Sequence, residues 1–583
     1  MNTFRYKRIF QIIVICVGFS ICVSLQAFAQ TASFQPVQKK LIEAGWDIPD
    51  TATLRKNLTQ MENAPFDGVV LYAIGKDATG NTINVQSTFS NVPWKKEWFQ
   101  SSVDDLKAIH SKKLTDNFLQ VGANPGNVDL FDDAGWMQIA DHLRIAAWIA
   151  KEGNLKGLLL DPEAYTKPYR QFEYLSQAQR DKHSFEEYQA KARQRGKEMI
   201  SAVTSIDPNL MIYTYFMNSV STEEAKSTNP QMALQSLNNG YDLYPAFING
   251  WLDAAPPSMT FVEGSESQGF HANSQLGFLY AANLMRNTAL NLVAPENRQK
   301  YLAQVQTSFG IYLDAYLNPP TSSYYIDPKG STPTQRLQTN VQYAVDAANE
   351  YVWIYGEKYR WWPTESTSVS PQSWEDVLPG IHDALLGVTH PQLVIQQKIA
   401  DLQKNGKLVN LLKNGDFSAA EHSSAPARNT SQDWKTVGAP SGWSTWQTDD
   451  SHGTFSQDNS VNHSNKQGGA ARVAGTNIGC FIQSVDVKPG DSYIVQSWLR
   501  QSGQGNGWIR VRWQNADNKW TQQASDVLLF SADGSDKNAW QKIEGLVTVP
   551  EGAEKMLILL SAANQPSPQD ALWFDDVQVY SLR

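Results

Sequence analysis

GLLLDPEAY (Gly157–Tyr165) is the stretch whose reading decides the fold. Three leucines run straight into Asp161 and Glu163, with only Pro162 between the acids. In a strand, side chains two apart share a side. Leu159, Asp161 and Glu163 then lie on one face, and Leu158, Leu160 and Pro162 on the other. A strand that is apolar on both faces is buried on both, as in a parallel sheet covered by helices. Similar runs recur at FDGVVLYA (66–73), DNFLQVGA (116–123), LMIYTYF (210–216), MTFVEGSE (259–266), FGIYLDAY (309–316) and YVWIYGEK (351–358). Between them, stretches such as WMQIADHLRIAAWIAKEG and FEEYQAKARQRGKEMISAVTS repeat their apolar positions at helical spacing. The alternation predicts an α/β domain over residues 35–406, ending in the helical SWEDVLPGIHDALLGV and PQLVIQQKIADLQKNG. FDGVVLYAIGKDATG has no glycine-rich nucleotide loop, which disfavours an open doubly wound sheet and favours a closed (β/α)8-type TIM barrel. Seven strands are legible and closure needs eight. The eighth is expected in NTINVQSTF (81–89) or after Trp374.

In a barrel, Asp161 and Glu163 point inward at the mouth formed by the strand C-termini, where barrel enzymes place their chemistry. Burying two acids there is costly without a task or a partner. The pattern repeats: MTFVEGSE ends in Glu263 and Glu266, FGIYLDAY carries Asp314, YVWIYGEK ends in Glu357, and Asn124 follows the DNFLQVGA run. Glycoside hydrolysis needs two carboxyls facing a sugar, one to protonate the leaving oxygen and one to attack or to activate water. Glu163 is the expected general acid/base, with Asp161 raising its pKa as a neighbouring acid does. Glu266 is preferred to Glu357 as the second carboxylate, and Asp314 is a further acid of the rim. Asn124, Tyr165, Glu263, Trp361 and Trp362 are expected to bind substrate, and Trp94, Trp98 and Trp136 are further candidates for stacking on sugar rings.

The Asp-x-Glu of DPE resembles the core of chitinase-like barrels, where the Glu is the acid and the Asp orients it. The earlier acids of that longer motif are absent, so only the roles carry over. The order of strands over residues 40–365 is similar to that of secreted barrel proteins of the glycosidase type, a resemblance that names no substrate.

Arg5, Lys7 and Arg8 precede the apolar IFQIIVICVGFSICVSL and then Ala27-Phe28-Ala29, which reads as a cleaved signal peptide over residues 1–29. A secreted or periplasmic protein is expected, with no membrane attachment in the mature form. Of 3 cysteines only Cys480 would remain, which leaves no internal disulfide. The net charge is −9 and no basic patch stands out, which excludes nucleic acid as the expected partner. HExxH, GxSxG and cysteine-rich metal patterns are absent, so catalysis is expected to need no cofactor. With 19 Trp, 22 Tyr and 23 Phe, the composition favours a carbohydrate polymer as partner, because sugar rings stack on flat aromatic faces. A monomer is expected.

Composition changes after Lys407. FIQSVDVKPGDSYIVQSWLRQ, WIRVRWQ, WQKIEGLVTVP, EKMLILLSAA and LWFDDVQVYSL alternate with turn residues, which predicts an all-β sandwich (jelly roll) over 408–583. LLKNGDFS (411–418), GWSTW (442–446) and the closing WFDDVQVY (573–580) resemble the carbohydrate-binding jelly rolls of the CenC-like type. The resemblance implies glycan binding and a structural calcium held by Asp416 with Asp575 or Asp576. Trp443, Trp446 and Trp508 are the expected sugar contacts, with Trp513 and Trp520 in the same group. Alternation in WIRVRW places Trp508, Arg510 and Arg512 on one face and Trp513 on the core face. The whole then reads as a secreted glycoside hydrolase with a binding module. Two alternatives fit the same residues: a non-catalytic glycan-binding or scaffold protein with a degenerate barrel, and a polysaccharide lyase. The lyase is disfavoured because the rim offers Lys358 and Arg360 but no basic cluster.

Overall fold

The computed structural model describes residues 38–222, 224–226, 239–364, 368–419, 439–464, 468–521, 525–531 and 536–583. The signal-peptide reading of residues 1–29 lies outside them. The chain divides into two compact units, one ending at Ile381 and one running from His382 to Arg583. Among the described residues no helix is long and apolar enough to cross a membrane.

The first unit is built on nine parallel strands: β1 (Lys40–Glu43), β2 (Gly68–Leu71), β3 (Phe118–Gly122), β4 (Gly157–Asp161), β5 (Met211–Thr214), β6 (Phe261–Glu263), β7 (Val305–Thr307), β8 (Gly310–Tyr312) and β9 (Tyr351–Tyr355). Their order in the sheet is β8-β9-β1-β2-β3-β4-β5-β6-β7. In β2 to β5 every residue is buried, as continuous apolar runs require. Two strands are missing from the sequence reading, β1 and β7. NTINVQSTF instead supplies one arm of a short antiparallel hairpin, Ile74–Lys76 with Thr82–Asn84, and the chain after Trp374 is helical. KLIE has only Leu41 and Ile42 as apolar residues, too short a run to stand out. The FGIYLDAY run is also resolved differently. β7 pairs with β6 and β8 with β9, and only Ser308 and Phe309 separate them.

Helices cover the sheet, and their starts are set by side-chain caps. Asp132 caps Asp133–Glu152 through the Gly135 amide, and Ser184 with Glu187 forms a capping box on Phe185–Thr204. Along Asp133–Glu152, Ile139, Leu143, Ala146 and Ala150 fall on one stripe and are buried.

The second unit holds two five-stranded antiparallel sheets. One is ordered 444–447, 478–486, 555–563, 506–514, 527–529, and the other 454–458, 470–474, 571–581, 492–502, 541–548. Their inner faces share one core that includes Phe417, Phe481, Val495, Trp513, Ile558 and Phe574. The alternation in WIRVRW holds: Ile509, Val511 and Trp513 are buried in that core. The boundary falls earlier than composition placed it. Helix Pro391–Lys404, read from sequence as the end of the barrel domain, packs Ile395 and Leu402 against Ile494 and Tyr580 of the second unit.

Candidate functional site

β4 delivers Asp161 to a cavity of about 910 Å³. Asp161 is only 4% exposed and accepts the Glu163 amide at 3.0 Å. Burial, and after it the charge of Glu163, pushes the Asp161 carboxyl up to about 7. The next residues are pinned from β3. Asn124 donates its amide to the Glu163 carbonyl at 3.0 Å and accepts the Tyr165 amide at 3.1 Å. The Tyr165 hydroxyl donates to the Glu163 carboxylate. Asn124 thus lines the cavity and fixes the backbone that presents Glu163.

Glu266 comes from the other side, beyond β6. Gly264 donates to Thr214 O at 2.8 Å, and a Cβ on Gly264 would sit 2.4 Å from that oxygen, so only glycine passes. Ser265 follows with φ +45°, a left-handed conformation that costs a non-glycine residue energy and recurs at functional sites. Helix Glu266–His271 starts there, and the Glu266 amide donates to Tyr215 O at 3.1 Å. Burial, then the charges of Glu163, Asp161 and Glu357, pushes the Glu266 carboxyl up to about 8. Tyr215 and Trp353 line the same cavity, their ring centroids 4.7 Å apart, and Trp353 Nε1 is tied to Gly264 O at 2.9 Å. Trp46, 49% exposed, Tyr355 and the 63% exposed Tyr165 add aromatic surface at its edge. A second, smaller cavity of about 180 Å³ is lined by Phe216, Tyr241, Phe270 and Tyr324. Among the described residues, Glu163 and Glu266 are the two that line both cavities.

Several expected site residues are placed elsewhere. Glu263 is fully buried and accepts the amides of Met217, Asn218 and Ser219 and the Ser219 hydroxyl, so it clamps a loop and does not bind substrate. Asp314 has no exposed surface, accepts the Glu357 amide at 2.8 Å and lies 3.6 Å from Lys358. Glu357 takes the hydroxyls of Tyr312 and Tyr355 at 3.0 and 3.1 Å and lines neither cavity. Trp361 and Trp362 line neither cavity. Trp361 packs edge-on against Phe66, and Trp362 is buried with its indole N–H on Asp47 O. Trp94 and Trp136 are likewise buried, Trp94 stacked on His142.

The sequence reading passed over the residues around β1. Gly45 and Trp46 line the cavity, and Glu43 and Asp47 form a buried acid pair beneath them. Glu43 Oε2 and Asp47 Oδ1 have no hydrogen-bond donor. Burial, and after it the charge of Asp47, raises Glu43 well above the usual carboxylate range, and burial raises Asp47 to about 6.

In the second unit Trp443 is a core residue, 6% exposed with its N–H on Asn414 O, and not a sugar contact. Trp446 is 37% exposed and Trp508 is half-buried. The described residues contain no group of three or more His, Cys, Asp or Glu side chains placed to hold a metal ion. Asp416 accepts from Ser418, Asp575 from the amides of His463 and Asp576, and Asp576 pairs with His463 Nδ1 at 2.8 Å.

No protein-family model matches the chain, and no curated protein matches it. Among solved structures, the enzymatically active domain of tailspike protein 4 of bacteriophage CBA120 is 15% identical at a TM-score of 0.23, over 30% of this chain and 21% of that one. The chain therefore matches about a fifth of the tailspike's length. The CBM22-1 xylan-binding domain of Paenibacillus barcinonensis Xyn10C is 12% identical at 0.20, over 25% of this chain and 90% of that one. TmCBM61, solved with beta-1,4-galactotriose, is 15% identical at 0.20, over 30% and 99%. At these TM-scores the likenesses bear on no functional assignment.

Proposed function

We propose that the first unit is a glycoside hydrolase acting at Glu163 and Glu266, and that the second is a glycan-binding module. The observation that carries the reading is that, among the described residues, these two acids alone line both cavities, so a sugar chain spanning the two would pass both. Glu266 is the carboxyl suited to give a proton at neutral pH, since burial and its acidic neighbours hold it up to about 8. Glu163, bonded by the Tyr165 hydroxyl, is then the base or nucleophile, and Asp161 fixes its backbone amide. This assignment exchanges the roles suggested by sequence alone. The aromatic rings of Trp46, Tyr165, Tyr215 and Trp353 suit stacking against sugar faces. We infer as well that the parallel sheet closes into an eight-stranded barrel. Supporting this, β7 and β8 lie at opposite edges of the strand order yet are two residues apart in the chain, as the halves of one kinked strand would be.

The test is a screen of plant, microbial and algal glycans for release of reducing ends, followed by Glu163→Gln and Glu266→Gln on whichever is cleaved. Loss of cleavage in both variants with unchanged melting supports the pair. Full activity in either one removes it.

A further inference from the structure

The sheet 444–447, 478–486, 555–563, 506–514, 527–529 has a second face, away from the shared core, whose middle residues Cys480, Leu557, Leu559 and Ser561 are buried and whose flanking groups the cleavage chemistry does not use. Pairing places Trp446, Cys480, Ser561 and Trp508 in one row across four strands. Strand spacing puts the two tryptophans about 14 Å apart, with the small Cys480 and Ser561 between them. Arg510 lies in the next row between Leu559 and Leu528, and Arg512 in the row beyond. Phe530, 60% exposed, has its ring 6.5 Å from Trp508, and Trp520, 48% exposed, lies under the Arg512 guanidinium at 4.1 Å.

Among the described residues the charge of this face is unbalanced. Arg510 donates Nε and Nη2 to one oxygen of Asp526 at 2.9 and 2.6 Å. Arg512 Nε is 3.1 Å from the same oxygen, yet it makes no hydrogen bond. One carboxylate therefore serves two guanidiniums. Asp486 and Lys555, in the row beyond Arg512, are one of each sign and leave the excess in place. In a chain of net charge −9, the partly buried Arg512 keeps a charge that Asp526 meets only in part, its guanidinium resting over Trp520. A neutral sugar needs stacking and hydroxyl contacts only. A carboxylate or sulfate matches the planar fork of a guanidinium.

We propose that this face binds an anionic polysaccharide, its rings on Trp446 and Trp508 and its carboxylate or sulfate groups on Arg512 and Arg510. The inference rests on the reading of the second unit as a glycan-binding module, and not on cleavage in the first. It also narrows the substrate. A cavity whose described lining holds Asp161, Glu163 and Glu266 and no Lys, Arg or His offers no cation to an acidic sugar at the bond to be cut, so the fitting polymer is one whose acidic units are spaced among neutral ones.

The full-length protein is run by affinity electrophoresis and titrated calorimetrically against alginate and polygalacturonate, against carrageenan, and against neutral xylan and hydroxyethylcellulose. The expected result is preference for the acidic polymers, weakened by salt and weakened about tenfold by Arg512→Gln, the scale of one charge-assisted hydrogen bond. The carboxylate and sulfate arms decide which anion is recognised. Arg512→Lys, which keeps the charge and loses the fork, should fall between, with an unchanged melting temperature excluding misfolding. Equal binding of neutral and acidic polymers overturns the inference and leaves the glycan-binding reading standing. So does acidic binding that Arg512→Gln leaves intact. Binding to none of the polymers overturns both.

Discussion

The cavity of the first unit and the outer face of the second treat charge in opposite ways. In the cavity, Asp161 and Glu266 are drawn out of water without a cation, and they respond by holding protons. On the module face, Arg510 and Arg512 remain charged and share one acid. Burial changes how readily a group gives up a proton, which suits a site that makes and breaks bonds. Partial exposure leaves a permanent charge available, which suits a site that only holds. The same contrast separates the aromatics: Trp353 is locked by its N–H to Gly264 O, whereas Trp446 stays 37% exposed.

The most severe break in this contrast is removal of the cavity carboxyls. Glu163→Gln and Glu266→Gln should each lower turnover by about 10²–10⁴-fold, the range of general acid–base catalysis, while binding of polymer by the module persists. Reducing-end assays beside affinity gels check both halves. Next, Glu263→Ala should act on folding instead of chemistry. It strands three amides and a hydroxyl in the interior, and a loss of roughly 3 kcal/mol is expected in denaturant titrations. Equal stability of that variant would return Glu263 to the list of substrate contacts. On the module, Trp508→Ala should weaken polymer binding by roughly fivefold to thirtyfold, as loss of one aromatic anchor does. Trp443→Ala should instead lower the module's melting temperature.

The mildest effect expected is a pH dependence of stability. Asp47, Asp161 and Glu266 are held up to about 6, 7 and 8 in the folded chain. Unfolded carboxyls titrate near about 4, so over this range the folded state binds more protons than the unfolded one. Stability should be fullest below about pH 4 as far as these groups are concerned, and should fall as pH rises from there through 6 to 8. Differential scanning calorimetry across that window should show the decline, and Glu266→Gln should flatten its upper part. In the module Asp575 is likewise held up to about 6 by burial, so the module's own melting step should decline over the lower part of that window only.

How much of this was legible in the sequence follows from how each signal is written. Strands buried on both faces announce themselves as unbroken apolar runs, so GLLLD and YVWIY were readable. KLIE was not, and the loss of β1 hid Trp46, Glu43 and Asp47 with it. Acids at strand ends were visible as a set, but the sequence does not say which have donors waiting. Glu263 and Asp314 look like Glu163 on paper, and only the amides of residues 217–219 and of Glu357 mark them as clamps. Tryptophans failed for a similar reason. A Trp beside an acid is platform or core according to what packs over it, as Trp362 and Trp443 show. Strict alternation was the dependable guide, and it sorted Trp508 from Trp513.

None of the described residues lining either cavity is Lys, Arg or His. That absence has a pharmacological consequence. Sugar mimics with a protonated ring nitrogen should be drawn to Glu163 and Glu266 more strongly than their neutral counterparts. Their potency should climb as Asp161 and Glu266 give up protons, until the inhibitor's own amine loses its charge. An iminosugar library assayed at two pH values would sort by basicity, with weakly basic members gaining least.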